Sequence, residues 1–286
     1  MQARENMLRT IRFENPDYIP MLFVINASCW HHYDQNELCD LIESHPFLFP
    51  DFERPPKGFR PDYMLNSIAD TPYKDPWNCV WETSDDGIFG AVHGHPLESW
   101  DQFASFTAPD PNKTDGLFPL DWAAVAAKVK ADREAGNFVQ GGLPHGHTFL
   151  RLQDIRGYEN LLFDMCDEKP ELLELIKMVE AFNYEVIKRW VDLKPDMIYF
   201  PEDLGMQIGP MVSPEHFVKY IKPSYQRMMT LVRDNNIAVH MHSDGDIRSL
   251  VDDLVEGGVE IINLQDLVNG IDWIADKFAG KVCVDL

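Results

Sequence analysis

Apolar and polar positions along the chain alternate between two periods, and the switch between them marks the predicted elements. After a helix expected over residues 2–11 and a break at Asn15-Pro16-Asp17, residues 18–25 are almost continuously apolar, as a parallel strand covered by helices on both faces must be. From Asp121 the alternation becomes regular. A helix is predicted over 121–135, ended by Gly136, and a strand over 138–142. A long helix then follows Asp167, with Pro170 in its first turn and Leu172, Ile176, Val179, Val186 and Trp190 at helical spacing. Next come a strand at 196–201 and a helix capped by Ser213, with Pro214 at its first position and Pro223 expected to break or kink it. Strands at 237–242, 260–264 and 281–286 alternate with helices at 247–256 and 271–278.

Repeated strand–helix–strand units require right-handed crossovers and a parallel sheet. The predicted fold class is therefore α/β, a (β/α)8 TIM barrel forming one domain over residues 1–286. Because the chain stops on a strand with no helix after it, the barrel is expected to lack its last strand–helix–strand unit. Residues 43–112 break the pattern with Pro46, Pro50, Pro55, Pro56, Pro61, Pro72 and Pro76. They read as a proline-rich insertion after the first strand, a lid or rim over the barrel mouth, with short antiparallel pieces at 78–82 and 87–92 around a turn at 84–87.

Composition narrows the partners. With 47 acidic against 25 basic residues the formal charge is −22, which repels nucleic acid and anionic membranes, since phosphate binding depends on Lys and Arg. No run of apolar residues reaches membrane-spanning length and the N-terminus has no apolar signal core, so a cytoplasmic location is expected. The five cysteines, Cys29, Cys39, Cys79, Cys166 and Cys283, share no C-x-x-C spacing, so neither a disulfide framework nor a cysteine-only zinc site is expected. Without a Gly-x-Gly-x-x-Gly, P-loop or Gly-x-Ser-x-Gly motif, no nucleotide cofactor and no serine nucleophile are expected.

Catalytic groups of a parallel barrel lie at the C-terminal ends of its strands, and polar clusters stand at such ends here. His240 and His242 alternate by two and share one strand face. His242 and Asp244 fall where that strand ends, with Asp246 positioned to cap the next helix. Glu202 and Asp203 follow the strand at 196–201 and offer a metal ligand, a general base or an anchor. His145 and His147 follow Gly141-Gly142 and can face a substrate. His31-His32, in the loop after the first apolar run, are placed to face substrate, whereas His93 and His95 in the insertion are read as structural.

Several runs resemble the uroporphyrinogen-decarboxylase superfamily: Arg4-Glu-Asn-Met-Leu8 with Pro16-Asp-Tyr-Ile-Pro20, Ile155–Asp164, Glu202-Asp-Leu-Gly-Met-Gln207, Ser213-Pro-Glu-His-Phe217 and His242-Ser-Asp-Gly245. The resemblance implies a (β/α)8 barrel and either of two chemistries, cofactor-free decarboxylation of uroporphyrinogen or zinc-dependent methyl transfer between corrinoids and thiols. The decarboxylases carry arginines after the first strand to hold substrate carboxylates, but no Arg or Lys occurs here between Arg12 and Arg54. Uroporphyrinogen is therefore not the expected substrate. In the methyltransferase branch a His-x-Cys pair binds zinc. A gapless match puts His242 on that His and Asp244 on that Cys, replacing soft sulfur by carboxylate oxygen.

The expectation is metal-assisted methyl transfer involving a corrinoid. His242, Asp203 and Asp244 are the expected catalytic residues; His242, Asp244 and Glu202 would hold zinc; His145, His147, His240 and Gln207 would contact substrate. A small-molecule substrate, a corrinoid protein as partner and a homodimer are entertained. The alternatives are a lyase acting on a small acid or porphyrinogen, anchored by Arg151 or Arg156, and a non-catalytic binding subunit.

Overall fold

The computed structural model describes residues 3–21 and 23–286. Its centre is a five-stranded parallel sheet of β4 (Gln140–Gly142), β5 (Met197–Asp203), β6 (Ala238–Asp244), β7 (Ile261–Leu264) and β8 (Cys283–Asp285), whose spatial order equals its chain order. That order, with helices in the crossovers, is the arrangement of consecutive units of a barrel. Among the described residues the sheet is not closed: β4 and β8 are its edges.

The described residues of the 18–25 run form no strand. Its described residues have no ladder partner, and Ile19 and Val24 are 71% and 82% exposed. An apolar run becomes a buried strand only where neighbouring strands take up its N–H and C=O groups, and among its described residues only the Tyr18 carbonyl is engaged, by the Asn6 side chain at 2.9 Å.

The helices follow their end signals closely. Asp121 caps Trp122–Glu134 by accepting from the Ala123 N–H, and Ser213 caps Pro214–His216 by accepting from the His216 N–H. Helix Pro170–Leu193 buries Leu172, Leu175, Ile176, Val179, Phe182, Val186 and Ile187 along one stripe against the sheet's outer face. Pro223 does not break its helix. It sits in the first turn of Lys222–Asp234, after an irregular wide turn at Phe217–Ile221, where its missing N–H costs nothing. Asp246 does not cap a helix either: it pairs with Arg248 in a turn, and the helix begins later, at Val251. Helices Phe149–Arg156 and Tyr158–Cys166, joined at Gly157 with φ +82°, complete the segment before Pro170.

Strand parity decides what faces the site. Ile198 and Phe200 on β5, Val239 and Met241 on β6, and Ile262 and Leu264 on β7 are almost wholly buried and join the helices in one core. Replacing any of them by Ala costs about 2–5 kcal/mol. The opposite parity is polar. Tyr199 lies beside His240, Pro201 beside His242, Asp203 beside Asp244, His242 beside Asn263, and Asn263 beside Asp285.

The insertion carries an antiparallel sheet of β1 (Tyr73–Lys74), β2 (Val80–Glu82) and β3 (Ala91–Gly94), with an irregularity in register between Val80 and Trp81. A buried ion pair fastens it to the body. Asp75, fully buried, accepts from Arg151 Nη1 at 2.6 Å, from Trp81 Nε1 at 2.9 Å and from the Cys79 N–H at 2.9 Å. Breaking one partner of such a pair typically costs about 3–5 kcal/mol. Nearby, Arg156 binds Asp164 at 2.7 Å and the carbonyls of Leu97 and Glu98.

Candidate functional site

The site is built where β5 and β6 end. Their exits pack backbone on backbone: a Cβ on Gly245, whose φ is +78°, would meet the Gly205 carbonyl carbon at 2.1 Å, and a Cβ on Gly205 would meet Gly245 at 2.5 Å. Glycine at both positions lets the two loops touch. The Gly205 N–H donates to the Asp244 carbonyl at 3.1 Å, and the Leu204 N–H to Ser243 Oγ at 2.9 Å. On the neighbouring loop the Gly146 N–H donates to the Pro201 carbonyl at 2.9 Å, which brings His145 alongside.

His145, Asp203 and His242 converge there. His145 Nε2 lies 3.3 Å from Asp203 Oδ2; His242 Nε2 lies 3.7 Å from Asp203 Oδ1 and 3.6 Å from Asp244 Oδ1. Asp203 is oriented by the Asp244 N–H, which donates to its Oδ1 at 3.1 Å. Burial resists the charge on His145, but Asp203, helped by Glu202 and Asp244, outweighs it and raises the imidazole above its ordinary value. Burial likewise pushes Asp203 up, yet His145 and the backbone donor prevail and its carboxyl ends lower.

The tautomer of His242 follows from its neighbours. Asn263 Nδ2 donates to the Asp285 carbonyl at 3.0 Å, so its Oδ1 is the atom facing His242 Nδ1, which must carry the proton. Nε2 then faces the two carboxylates, where either its own proton or a bound cation bridges ring and carboxylates. One nitrogen from His145, one from His242 and one oxygen from Asp203 lie within 4.8 Å of one another. The contacts of 3.3–3.7 Å are near the edge of about 3.3 Å that zinc–nitrogen bonds of about 2.0 Å give a tetrahedron. These residues fit a divalent ion of the zinc type, and Asn263 is the outer hydrogen-bond partner that ligating histidines ordinarily have.

The other expected residues lie elsewhere. Glu202 is not at the metal cluster. It has the opposite parity to Asp203, is fully buried, and accepts from the Thr148 N–H, the Phe149 N–H and Tyr225 Oη, each at 2.8 Å. It thus satisfies the first N–H groups of helix Phe149–Arg156, with burial holding its carboxyl above the usual range. His147 is no substrate contact: it is buried between Phe200 and Tyr225, bonded to Thr148 Oγ1 at 2.6 Å, and burial drives it down to about 3. His240 lies one layer below His242 against Tyr199, 93% buried, with Asp285 Oδ2 at 3.3 Å but out of line for a hydrogen bond. Gln207 is exposed on the turn at 205–210 and does not line the cavity at the cluster. The five cysteines are free thiols, and none joins the cluster.

A cavity of about 490 Å³ adjoins the cluster, lined by Trp81, Phe89 and His95 of the insertion and by Asp154, Asp203 and Asp244. Phe89 packs edge-on to His145 at 5.8 Å. Asp154 is a group that sequence reasoning missed. Burial lifts its carboxyl to about 7, against the pull of Arg151 Nη1 at 3.8 Å, so the cavity is lined by an acid that exchanges its proton near neutral pH. Gln153 Oε1, also on the lining, is buried without a hydrogen-bond partner. The signal for both was a helix in which polar residues, Arg151, Gln153, Asp154 and Arg156, interrupt the apolar Phe149, Leu150, Leu152 and Ile155.

No helix among the described residues is long and apolar enough to cross a membrane. No curated protein sequence matches the chain. Among solved structures, a methyltransferase from Methanosarcina mazei shares the fold with a TM-score of 0.66 at 14% identity, over 99% of this chain and 82% of that one. The family model for uroporphyrinogen decarboxylase (URO-D) matches residues 149–284, the stretch that supplies Asp154, Asp203, His242 and Asp244. That match takes in just under half of the chain, and over it the sequence is similar to the uroporphyrinogen-decarboxylase family.

Proposed function

We propose that the protein is a methyltransferase of this superfamily that holds a divalent ion, zinc in the first instance, on His145, Asp203 and His242, and passes a methyl group between a corrinoid and a small acceptor. The observation that carries this reading is the convergence of ligand atoms from His145, Asp203 and His242 within 4.8 Å of one another, with His242 oriented through Nδ1 by Asn263. When bound, such an ion would act as a Lewis acid that lowers the pKa of an acceptor's O–H, N–H or S–H group. The likeness in fold to the Methanosarcina methyltransferase supports the reaction class, and the corrinoid is part of the proposal, taken from what the sequence resemblance implies.

The chain's own residues do the rest. Gln153 Oε1 takes a donor of the acceptor molecule, Asp154 holds or gives a proton at the cavity wall, and Trp81 with Phe89 shields the cavity from water. A volume of about 490 Å³ suits a small molecule but is too small for a whole corrinoid. The corrinoid would therefore meet the site at its mouth, carried by a partner protein.

A lyase reading is favoured by one observation, Asp154 as a carboxyl that keeps its proton up to near-neutral pH. It lacks an anchor, because Arg151 is committed to Asp75 and Arg156 to Asp164 and backbone carbonyls. Metal analysis of the purified protein, with demethylation of methylcobalamin followed across a panel of small acceptors, tests the proposal. One equivalent of metal lost on His242→Ala together with methyl transfer supports it. Undiminished metal or activity in that variant, or uroporphyrinogen turnover by the parent, overturns it.

A further inference from the structure

A second group of metal-ligating side chains lies outside the cavity, where the helical turn Cys29–His32 meets the insertion. His31 Nε2 is 3.1 Å from Asp85 Oδ1, and His32 Nε2 is 2.9 Å from Asp85 Oδ2. The rings lie side by side with centroids 4.5 Å apart and planes tilted by 33°. Tyr63 Oη stands 3.2 Å from His31 Nδ1. We propose that His31, His32 and Asp85 form a second divalent-metal site, of the zinc class, which clamps the N-terminal segment to the insertion.

The geometry argues for a shared attractor. Neighbouring side chains on a helix diverge by about 100°, yet these two rings turn to one point. An exposed carboxylate holds an imidazole only weakly in water, too weakly to order two rings. Both histidines and Asp85 are exposed to between 34% and 50%. A chelated ion supplies the missing order. The nitrogen–oxygen separations of 2.9 and 3.1 Å approach the tetrahedral edge of about 3.3 Å expected around zinc, and all three donor atoms fall within 4.8 Å of one another.

Three protein ligands of this kind leave a position for water, as in open zinc sites, and two imidazoles with one carboxylate select first-row ions over magnesium or calcium. Tyr63 is the outer partner. With Nε2 committed to a metal, His31 Nδ1 carries the proton and donates it to Tyr63 Oη. The surrounding charge of −22 favours capture of a cation from solution.

The test is a metal count on the whole chain, stripped with chelator and titrated with Co2+ and Zn2+. It compares the parent with His31→Ala/His32→Ala, Asp85→Asn and Tyr63→Phe, each also combined with His242→Ala. Working in the His242→Ala background makes the result independent of the cavity site. The expected result is one equivalent fewer in the double-histidine variant in both backgrounds, with loss of its visible Co2+ absorption. Tyr63→Phe is expected to weaken binding about 10–100-fold. Zn2+ should raise the melting temperature of His242→Ala but not of the triple variant. An unchanged count in the double-histidine variant, or an unchanged Zn2+ response of its melting temperature, means a hydrogen-bonded histidine–aspartate bridge only and overturns the proposal.

Discussion

Replacing Asp154 by Asn tests whether the cavity wall carries a neutral acid. In the unfolded chain an aspartate loses its proton near 3.8, whereas burial holds this one to about 7 in the folded protein. Between those values the folded state binds one more proton than the unfolded state, so stability falls as pH rises. The contribution is complete below about pH 4 and lost as the pH climbs through 7. At about 1.4 kcal/mol per pH unit, the separation of roughly three units amounts to about 4 kcal/mol. That net figure already contains the opposing pull of Arg151, 3.8 Å away, whose stronger bond is to Asp75 at 2.6 Å. Asn keeps the shape of the side chain and does not titrate. The assay is urea unfolding of parent and variant at half-unit steps from pH 4 to 8, read as the difference in unfolding free energy, which largely cancels the other titrating groups. The variant should gain on the parent by about 3–4 kcal/mol across that range. A difference flat to within about 1 kcal/mol would mean that Asp154 is ionised in the fold, and its role as proton donor would fall with it.

Glu202→Gln should leave one of the N–H donors of Thr148 or Phe149 facing an amide NH2, costing about 1–3 kcal/mol in denaturant unfolding with metal content unchanged. Loss of metal at parent stability would make Glu202 a ligand instead. Asn263→Ala frees the His242 ring and should weaken metal binding about 10–100-fold by titration calorimetry, with little effect on stability, whereas unchanged affinity would remove Asn263 from the site. Gly245→Ala combines a left-handed backbone with a clash against Gly205 and should cost about 2–5 kcal/mol in thermal or urea unfolding. A melt indistinguishable from the parent's would show that the two strand exits are not locked together.

What the sequence disclosed, and what it hid, follows from parity. His240, His242 and Asp244 alternate by two, so their common face is legible without coordinates. Glu202 and Asp203 are adjacent, so one must face the helices and the other the site, and every residue before them in β5 is apolar or aromatic, which leaves the parity open. Only the register, Tyr199 beside His240 and Asp203 beside Asp244, assigns Asp203 to the cluster and Glu202 to the first turn of Phe149–Arg156. The same limit explains 18–25, whose composition is that of a buried strand while its pairing is not written in it. Asp154 is hidden for a different cause, since its near-neutral carboxyl arises from burial among elements far apart in the chain. His145 was legible as a candidate but not as the partner of Asp203, because the loop that carries it is placed by a backbone bond from Gly146 to Pro201. Side chains on a strand can be sorted by alternation alone, whereas those delivered by loops and helices need the fold. The cluster at the end of β5 and β6 draws on both kinds, with His242 and Asp203 from strands and His145 from a loop.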